Sequence, residues 1–375
     1  MKLRLVNTGF IIVVILILIH PIYFSIFKNL DIYFFDNRPI ASLPVLDSPK
    51  EIFWTTKQVD SFIADHLPLR NRIISGLYWV RREILHDTIF PQVVIGRNNW
   101  LYYSGLNTIN LYQKVMPFSQ EELNNIRQNL ESTQNWLSAR NILMVVVIAP
   151  DKDIIYPEYL PENIPVIGKI SQVDQLLDYM SEKSEVSILD LRPAVFERKK
   201  TYQTYYMSDT HWNRVGCHAG YEEIMQEIET RYPNLHPYPM TEYELSTKLI
   251  PGDLWRFLGQ VDKLEIDPYY IEQKSPIRAQ LAGSDDGYRS EMTVNDPSLP
   301  RLVMFRDSFG FCLIPFLAEH FSFSLFQWAW APTTNIIVDQ EIIEQYNPDI
   351  VIIQLVDRYI SLRLLTDGNP QKYNP

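Results

Sequence analysis

Two hydrophobic rhythms alternate along this chain between residues 119 and 231, and again after residue 300. One spaces apolar residues three and four apart, as a helix with a single buried stripe requires; the other is a short unbroken apolar run, as a strand covered on both faces requires. Ser119 followed by Glu122 forms a capping box and predicts a helix running to about Ala139. NILMVVVIAP, residues 141–150, then reads as a central parallel strand. A helix near 170–183 leads to the strand VSILDL, and 213–231 reads as a further helix. After residue 300 the order is strand LVMF, helix 309–320, strand FSLFQWAW, helix 335–346 and strand DIVIIQLV. Strands and helices alternating in this way predict an α/β fold, a parallel sheet with helices on both faces. Residues 234–300, punctuated by Pro and Gly, predict an excursion of strands and loops.

The region before this alternation has a different texture. Lys2 and Arg4 precede VNTGFIIVVILILIHPIYFSIF, an almost uncharged stretch of roughly the 20 residues a helix needs to cross a bilayer. No small-x-small cleavage site precedes Lys28, so an uncleaved signal anchor fits better than a removed signal peptide. The expected division is a cytoplasmic tip and anchor over 1–30, an entry segment over 31–118, and the α/β domain over 119–375, outside the cytoplasm. Within the entry segment, Ile73, Ile74, Leu77, Val80 and Ile84 follow a helical period. VVIGRNNWLYY predicts two short strands about a tight Asn98-Asn99 turn.

Composition excludes more than it assigns. A net charge of −11 argues against a nucleic-acid partner, whose phosphates need a basic surface. Neither GxxxxGK[ST] nor GxGxxG occurs, so no nucleotide or other cofactor is expected. The two cysteines, Cys217 and Cys312, are too few for a disulfide scaffold; they read as buried thiols or as one disulfide.

Ligands of parallel α/β sheets bind beyond the carboxyl ends of the strands, so candidate chemistry is sought there. LVMF is followed by Arg306-Asp307-Ser308-Phe309-Gly310. A serine at a strand-to-helix turn exposes its hydroxyl beside free N–H groups able to hold an oxyanion; an ordinary N-cap serine occupies the same place. SDTHWNRVG supplies the partner, with Asp209 two residues before His211. An acyl-transferring serine needs an imidazole to take its proton, and the imidazole needs a carboxylate to fix its tautomer. A polar loop before a helix, or part of a metal site with His218, is the other reading, but no HExxH occurs and no metal is expected. Lys152 and Tyr156 lie just past the central strand, and Trp100, Tyr102, Tyr103, Trp212, Trp328 and Trp330 lie near strand ends, where sugars stack on such rings or where the rings fill the core.

These blocks resemble the SGNH (GDSL-like) esterases: Asp307-Ser308 matches part of their Gly-Asp-Ser motif, and HWNRVG, with Asn213 and Gly216, matches their histidine block. SILDLRPAV, FSLFQWAW and NPDIVIIQLVDRY are similar to further strands of that fold. The histidine block precedes the serine block, a circular permutation that resembles the alginate O-acetyltransferase AlgX/AlgJ-like family and its DHHW-motif relatives. NRP near residue 38, VIGRNNWLYY and PDKDIIYPEYLP are similar to that family too. The resemblance implies a Ser308–His211–Asp209 triad that O-acetylates an extracytoplasmic polysaccharide through an acetyl-serine. It also implies an acetyl donor delivered by a multi-pass membrane acyltransferase partner. The departures are Arg306 in place of glycine, and Asp357-Arg358-Tyr359 in place of the block carrying the oxyanion-hole asparagine. Phe309, Asp307, Arg306, Arg358 and a backbone N–H near Ala329–Trp330 are left as oxyanion or site candidates. A polysaccharide acetylesterase with the same triad and a non-catalytic glycan-binding subunit of an export complex are the alternatives.

Overall fold

The computed structural model describes residues 41–42, 56–66, 70–260, 262–329 and 334–365. Trp330 and the apolar stretch of residues 5–27 lie outside the described residues. Among the described residues no helix is long and apolar enough to cross a membrane.

The chain divides into two compact units, Met1–Thr88 with Trp255–Lys263, and Ile89–Leu254 with Leu264–Pro375. In the first, helices span Thr56–His66 and Arg70–Glu83, and the Ser75 hydroxyl donates to the Gly259 carbonyl at 3.1 Å. The helical period read from Ile73 to Ile84 is realised in the second of these helices as far as Val80, with Ile84 one residue past its end. Its stripe is not buried there, since Leu77, Val80 and Ile84 are all exposed.

The second unit carries the sheet. It opens with β1 (Val93–Ile95) and β2 (Leu101–Tyr103), antiparallel about a turn in which Asn98 and Asn99 take φ of 54° and 62°. Asparagine tolerates that left-handed backbone better than most residues. Then come α1 (Gln120–Ser138), β3 (Leu143–Ala149), α2 (Gln172–Lys183), β4 (Ile188–Asp190), α3 (Arg192–Lys199) and α4 (Arg214–Glu229). The excursion is two hairpins, β5 (Tyr243–Pro251) with β6 (Leu264–Gln273), and β7 (Gln280–Asp285) with β8 (Arg289–Thr293). β9 (Arg301–Arg306), β10 (Phe323–Trp328), α5 (Gln340–Tyr346) and β11 (Ile350–Val356) complete it.

Seven strands form the main sheet in the order β4-β3-β11-β9-β10-β8-β7. The first five are parallel, as the alternation predicts, but β8 runs antiparallel to β10 and β7 antiparallel to β8, so the sheet is mixed. The parallel reading stops there for a physical reason. β7 and β8 are joined by a short turn, which reverses the chain, and the hairpin docks on the open edge of β10.

The unbroken apolar runs fill both faces. Val145 and Val147 of β3, Leu302 and Met304 of β9 and Ile350 and Ile352 of β11 pack with Tyr221, Ile224 and Ile228 of α4. The alternate residues Val146, Ile148, Val303, Phe305, Val351 and Ile353 pack with Leu123, Ile126 and Leu130 of α1 and Leu176 of α2. Truncating such a residue to Ala costs about 2–5 kcal/mol, so this double core fixes where the strand ends lie.

Two helices differ from expectation. Residues 309–320 form a 3₁₀ turn (Phe309–Leu313), one α turn (Ile314–Leu317) and another 3₁₀ turn (Ala318–His320), because Pro315 has no N–H to continue a longer helix. The helix expected at 335–346 spans only Gln340–Tyr346, starting where the Asp339 carboxylate accepts the N–H groups of Glu341 and Ile342.

Candidate active site

β3, β11 and β9 are neighbours, so the segments after Ala149, Val356 and Arg306 emerge side by side at the carboxyl edge of the sheet. Asp307 straps the Ser308 turn to that edge. Its Oδ1 accepts from the Phe309 N–H at 2.8 Å and from Gln354 Nε2 at 3.1 Å, and its Oδ2 accepts from the Val356 N–H at 2.5 Å. Gln354 stands alone as a polar residue in the apolar β11, fully buried, and returns the bond by accepting from the Asp307 N–H at 3.3 Å. Burial pushes the Asp307 carboxyl up, against the pull of these donors.

Ser308 follows, half-buried, and its hydroxyl makes no capping bond, so the N-cap role is not what occupies it. Among the described residues the Ser308 N–H has no backbone partner.

The histidine turn is assembled from the residues around it. Asp209 Oδ1 accepts from both the backbone N–H of His211 at 2.9 Å and its Nδ1 at 2.7 Å, so the carboxylate sets the imidazole's orientation and tautomer. The other ring nitrogen, Nε2, is buried with no hydrogen-bond partner. Burial works to lower the His211 pKa, but Asp209 and, more weakly, Asp253 and Asp307 overcome it and push the imidazole up to about 9. Asp209 moves the other way: burial raises its carboxyl, yet the charge and hydrogen bonds of His211 hold it below the usual range.

The remaining residues of the histidine block hold the turn in place. Asn213 accepts from the Gly216 N–H at 3.0 Å and so caps α4, while its amide donates to the Gln203 carbonyl at 2.7 Å. A Cβ on Gly216 would lie 2.2 Å from the Thr204 carbonyl oxygen, so this contact demands glycine. Trp212 is buried, and its Nε1 donates to the Phe309 carbonyl at 3.1 Å, tying the histidine turn to the Ser308 turn; it also lines the cavity on which both turns open.

Both turns open on one cavity of about 640 Å³. Asp209, His211, Ser308 and Arg306 line it together with aromatic and aliphatic side chains, among them Tyr206, Tyr270, Phe311 and Trp328. Ser308 and His211 thus face one space, although no hydrogen bond joins them here; such contacts commonly tighten only around substrate.

The other sequence candidates separate into those on the cavity and those behind it. Arg306 is on it, wholly buried, donating to the carbonyls of Asp307 at 3.2 Å and Gly287 at 2.9 Å and keeping Nε without a partner. Burial lowers its pKa to about 10. Phe309 and Trp328 also line the cavity, but the Phe309 N–H is taken by Asp307 and the Ala329 N–H donates to the Arg306 carbonyl at 2.7 Å. Arg358 pairs with Asp151, behind the cavity, so the ion-pair alternative describes it.

Lys152, Tyr102 and Tyr156 are buried away from the cavity. Lys152 Nζ donates to the carbonyls of Tyr206, Met207 and Asp209 at 3.1, 3.1 and 2.7 Å, gathering the histidine turn from beneath. Tyr102 donates to the Tyr156 carbonyl at 2.6 Å, and the Tyr156 hydroxyl accepts from the Thr204 N–H at 2.8 Å. Cys217 and Cys312 are free thiols, one buried and one half-buried. His218 is not grouped with the turn; its Nε2 meets the Tyr238 carbonyl at 3.0 Å, and burial lowers its pKa to about 4.

Asp253, Glu265, Tyr206 and Tyr270 belong to the site or its support without having been singled out in the sequence. Among the described residues, the groups that come within metal-sharing distance are Asp209, His211 and Asp253, their ligating atoms within 4.8 Å of one another.

A family profile described as the SGNH hydrolase-like domain of the acetyltransferase AlgX matches residues 93–312, a stretch that holds Asp209, His211 and Ser308. A protein of Pseudomonas syringae pv. tomato named probable alginate O-acetylase AlgJ is 24% identical over 236 residues, 61% of this chain and 58% of that protein. Its namesake in Pseudomonas aeruginosa is 22% identical over 278 residues, 68% of this chain and 70% of that one. The chain therefore spans between about three fifths and 70% of the length of these relatives. Among solved structures, Bacillus cereus PatB1 is 17% identical with a TM-score of 0.49, covering 71% of this chain and 96% of that one. The O-acetyltransferase domain of Pseudomonas putida AlgJ is 17% identical with a TM-score of 0.47, covering 76% and 98%.

Proposed function

This chain belongs to the AlgX family of SGNH hydrolase-like acetyltransferase domains, and from that premise we propose that it O-acetylates hydroxyls of an extracytoplasmic polysaccharide through Ser308, His211 and Asp209. The observation that carries the reading is the state of His211. Its Nδ1 is bound by a carboxylate at 2.7 Å, its buried Nε2 has no hydrogen-bond partner, and the residue lines the same cavity as Ser308.

In the first half-reaction His211 Nε2 takes the Ser308 proton and Oγ attacks an acetyl carbonyl carbon. The oxyanion collapses, the bond to the donor breaks, and the donor leaves with the proton from His211. In the second, His211 takes a proton from a sugar hydroxyl, whose oxygen attacks the acetyl-serine carbonyl; the bond to Oγ breaks, and Ser308 leaves with the proton from His211. The imidazolium formed in each half is stabilised by Asp209. The Ser308 N–H and the spare Nε of Arg306 are the donors for the oxyanion; the occupied N–H groups of Phe309 and Ala329 are not. Trp328, Phe311 and Tyr270 form the wall for the acceptor's ring faces. The acetyl donor is delivered by a multi-pass membrane acyltransferase, next to which the apolar N-terminal stretch anchors the domain.

Acceptor dependence tests this reading against an esterase. Protein acetylated with p-nitrophenyl acetate is mixed with candidate polysaccharides, and acetate appearing in the polymer is measured against free acetate. Polymer-bound acetyl that needs Ser308 is the expected result. Release of free acetate at the same rate with and without any polymer would instead identify a hydrolase.

A further inference from the structure

The geometry points to Asp253 as a positioning residue for the catalytic base: a second carboxylate that clamps the Asp209–His211 turn and shares with Asp209 the stabilisation of the imidazolium. This rests on the reading of His211 as general base given above.

The clamp comes from the excursion, at the end of β5. The Asp253 N–H donates to Asp209 Oδ2 at 3.2 Å, and Asp253 Oδ1 accepts from the Thr210 N–H at 2.7 Å. The next residue continues it, the Leu254 N–H donating to the Ser208 carbonyl at 3.1 Å. Gly252 makes the approach possible, since a Cβ there would lie 2.2 Å from Ser208 Oγ. From β6, Glu265 Oε2 accepts from the Ser208 N–H at 2.6 Å and from its hydroxyl at 2.5 Å, so both strands of the hairpin hold one turn.

A clamp alone would not need a charge, yet the remaining oxygen of Asp253, Oδ2, lies 3.9 Å from His211 Nδ1. His211 thus has two carboxylates at Nδ1: Asp209 in hydrogen-bond contact and Asp253 at Coulomb range. Neither interferes with Nε2. The other charged or titratable groups acting here are Asp307 on His211, Lys152 beneath the turn, Glu265 on Ser208, and Tyr103. Burial and then the Asp209 charge raise the Asp253 carboxyl to about 6, so it is mainly ionised at neutral pH, when its charge acts on the imidazole.

The test separates clamp from charge. Asp253→Asn keeps an oxygen to accept from Thr210 and the backbone N–H to Asp209, but removes the charge; Asp253→Ala removes the Thr210 bond as well. The full-length protein and both variants are titrated by NMR on labelled histidine, His211 being assigned with His211→Gln. The pH profile of Ser308 acetylation by p-nitrophenyl acetate is measured alongside. Expected for Asp253→Asn is a His211 titration lower by about one pH unit, the acid limb of the profile moving down with it and the plateau rate falling about tenfold. Expected for Asp253→Ala is a greater loss of rate. A titration and profile for Asp253→Asn that superimpose on wild type, with loss only in Asp253→Ala, would reduce Asp253 to a structural clamp and overturn the inference. Failure of the wild type to acetylate Ser308 at all would remove the functional reading and this inference together. Normal wild-type acetylation with an unshifted Asp253→Asn counts against Asp253 alone.

Discussion

The Ser308 turn and the His211 turn face the same cavity but are built in opposite ways. Ser308 sits two residues past β9 and is fixed by Asp307, whose partners Gln354 and Val356 belong to the adjacent core strand β11. Its position is therefore a by-product of the sheet. His211 belongs to no sheet strand. It is held by a lysine from beyond β3, a glutamate on β6 and an aspartate at the end of β5, through Lys152, Glu265 and Asp253. A nucleophile whose place is set by the core should survive local damage near the histidine, and a base gathered from scattered segments should fail by loosening rather than by unfolding.

Ser308→Ala sets the scale, with acetyl-enzyme formation expected to disappear while the melting temperature stays near wild type, as read by mass spectrometry and thermal unfolding. Asp307→Ala should break the nucleophile side. It leaves the N–H groups of Val356 and Phe309 and the Gln354 amide short of acceptors in a fully buried place, so a stability loss of about 3 kcal/mol is expected with the loss of activity. Lys152→Met should show the contrast. Three carbonyls lose their donor, but they belong to one turn outside the sheet, and about 1–2 kcal/mol of stability is expected to go with most of the rate. Equal stability losses in the two variants would erase the distinction between the turns.

The pH dependence sharpens the histidine side. His211 is held at about 9, above its ordinary 6.5, so the neutral imidazole accumulates only as pH rises, and the acetylation rate should climb from neutral pH toward a plateau near there. The linked stability has a definite sign. A raised pKa means the folded state holds its proton more tightly, so this contribution is complete below about 6.5 and declines as pH passes through about 9. His211→Gln should flatten that part of the stability profile measured by urea unfolding. Trp328→Ala is expected to have the smallest effect: a few-fold weaker use of a polysaccharide acceptor, with acetylation of Ser308 itself little changed.

The same contrast explains what could be read from the sequence. The parallel core was legible because strands buried on both faces have to be unbroken apolar runs, and β3, β9 and β11 are such runs. Position past a strand end then singled out Ser308 and Asp307, and Gln354, a lone polar residue in a buried strand, carried a readable signal that was passed over. The antiparallel edge was not legible. β7 is almost wholly exposed, so nothing in its pattern says on which strand its hairpin docks. Asp-x-His was conspicuous as a spacing, but Asp253 was not, because Pro-Gly-Asp at 251–253 reads as any turn. The roles of Lys152, Tyr102 and Tyr156 illustrate a different limit. Position past a strand brought them near the site, but their burial gave them to its support rather than to its surface.

The central claim is that Ser308, with His211 behind it, is the residue that carries the acetyl group. The most direct measurement is the peptide mass spectrum of the protein quenched after brief exposure to p-nitrophenyl acetate, with Ser308→Ala and His211→Gln treated alike. The account predicts an acetyl group on the Ser308 peptide of the wild type, none in Ser308→Ala, and a greatly slowed appearance in His211→Gln. An acetyl group on another residue that persists in Ser308→Ala, or its absence from folded wild-type protein, would contradict it.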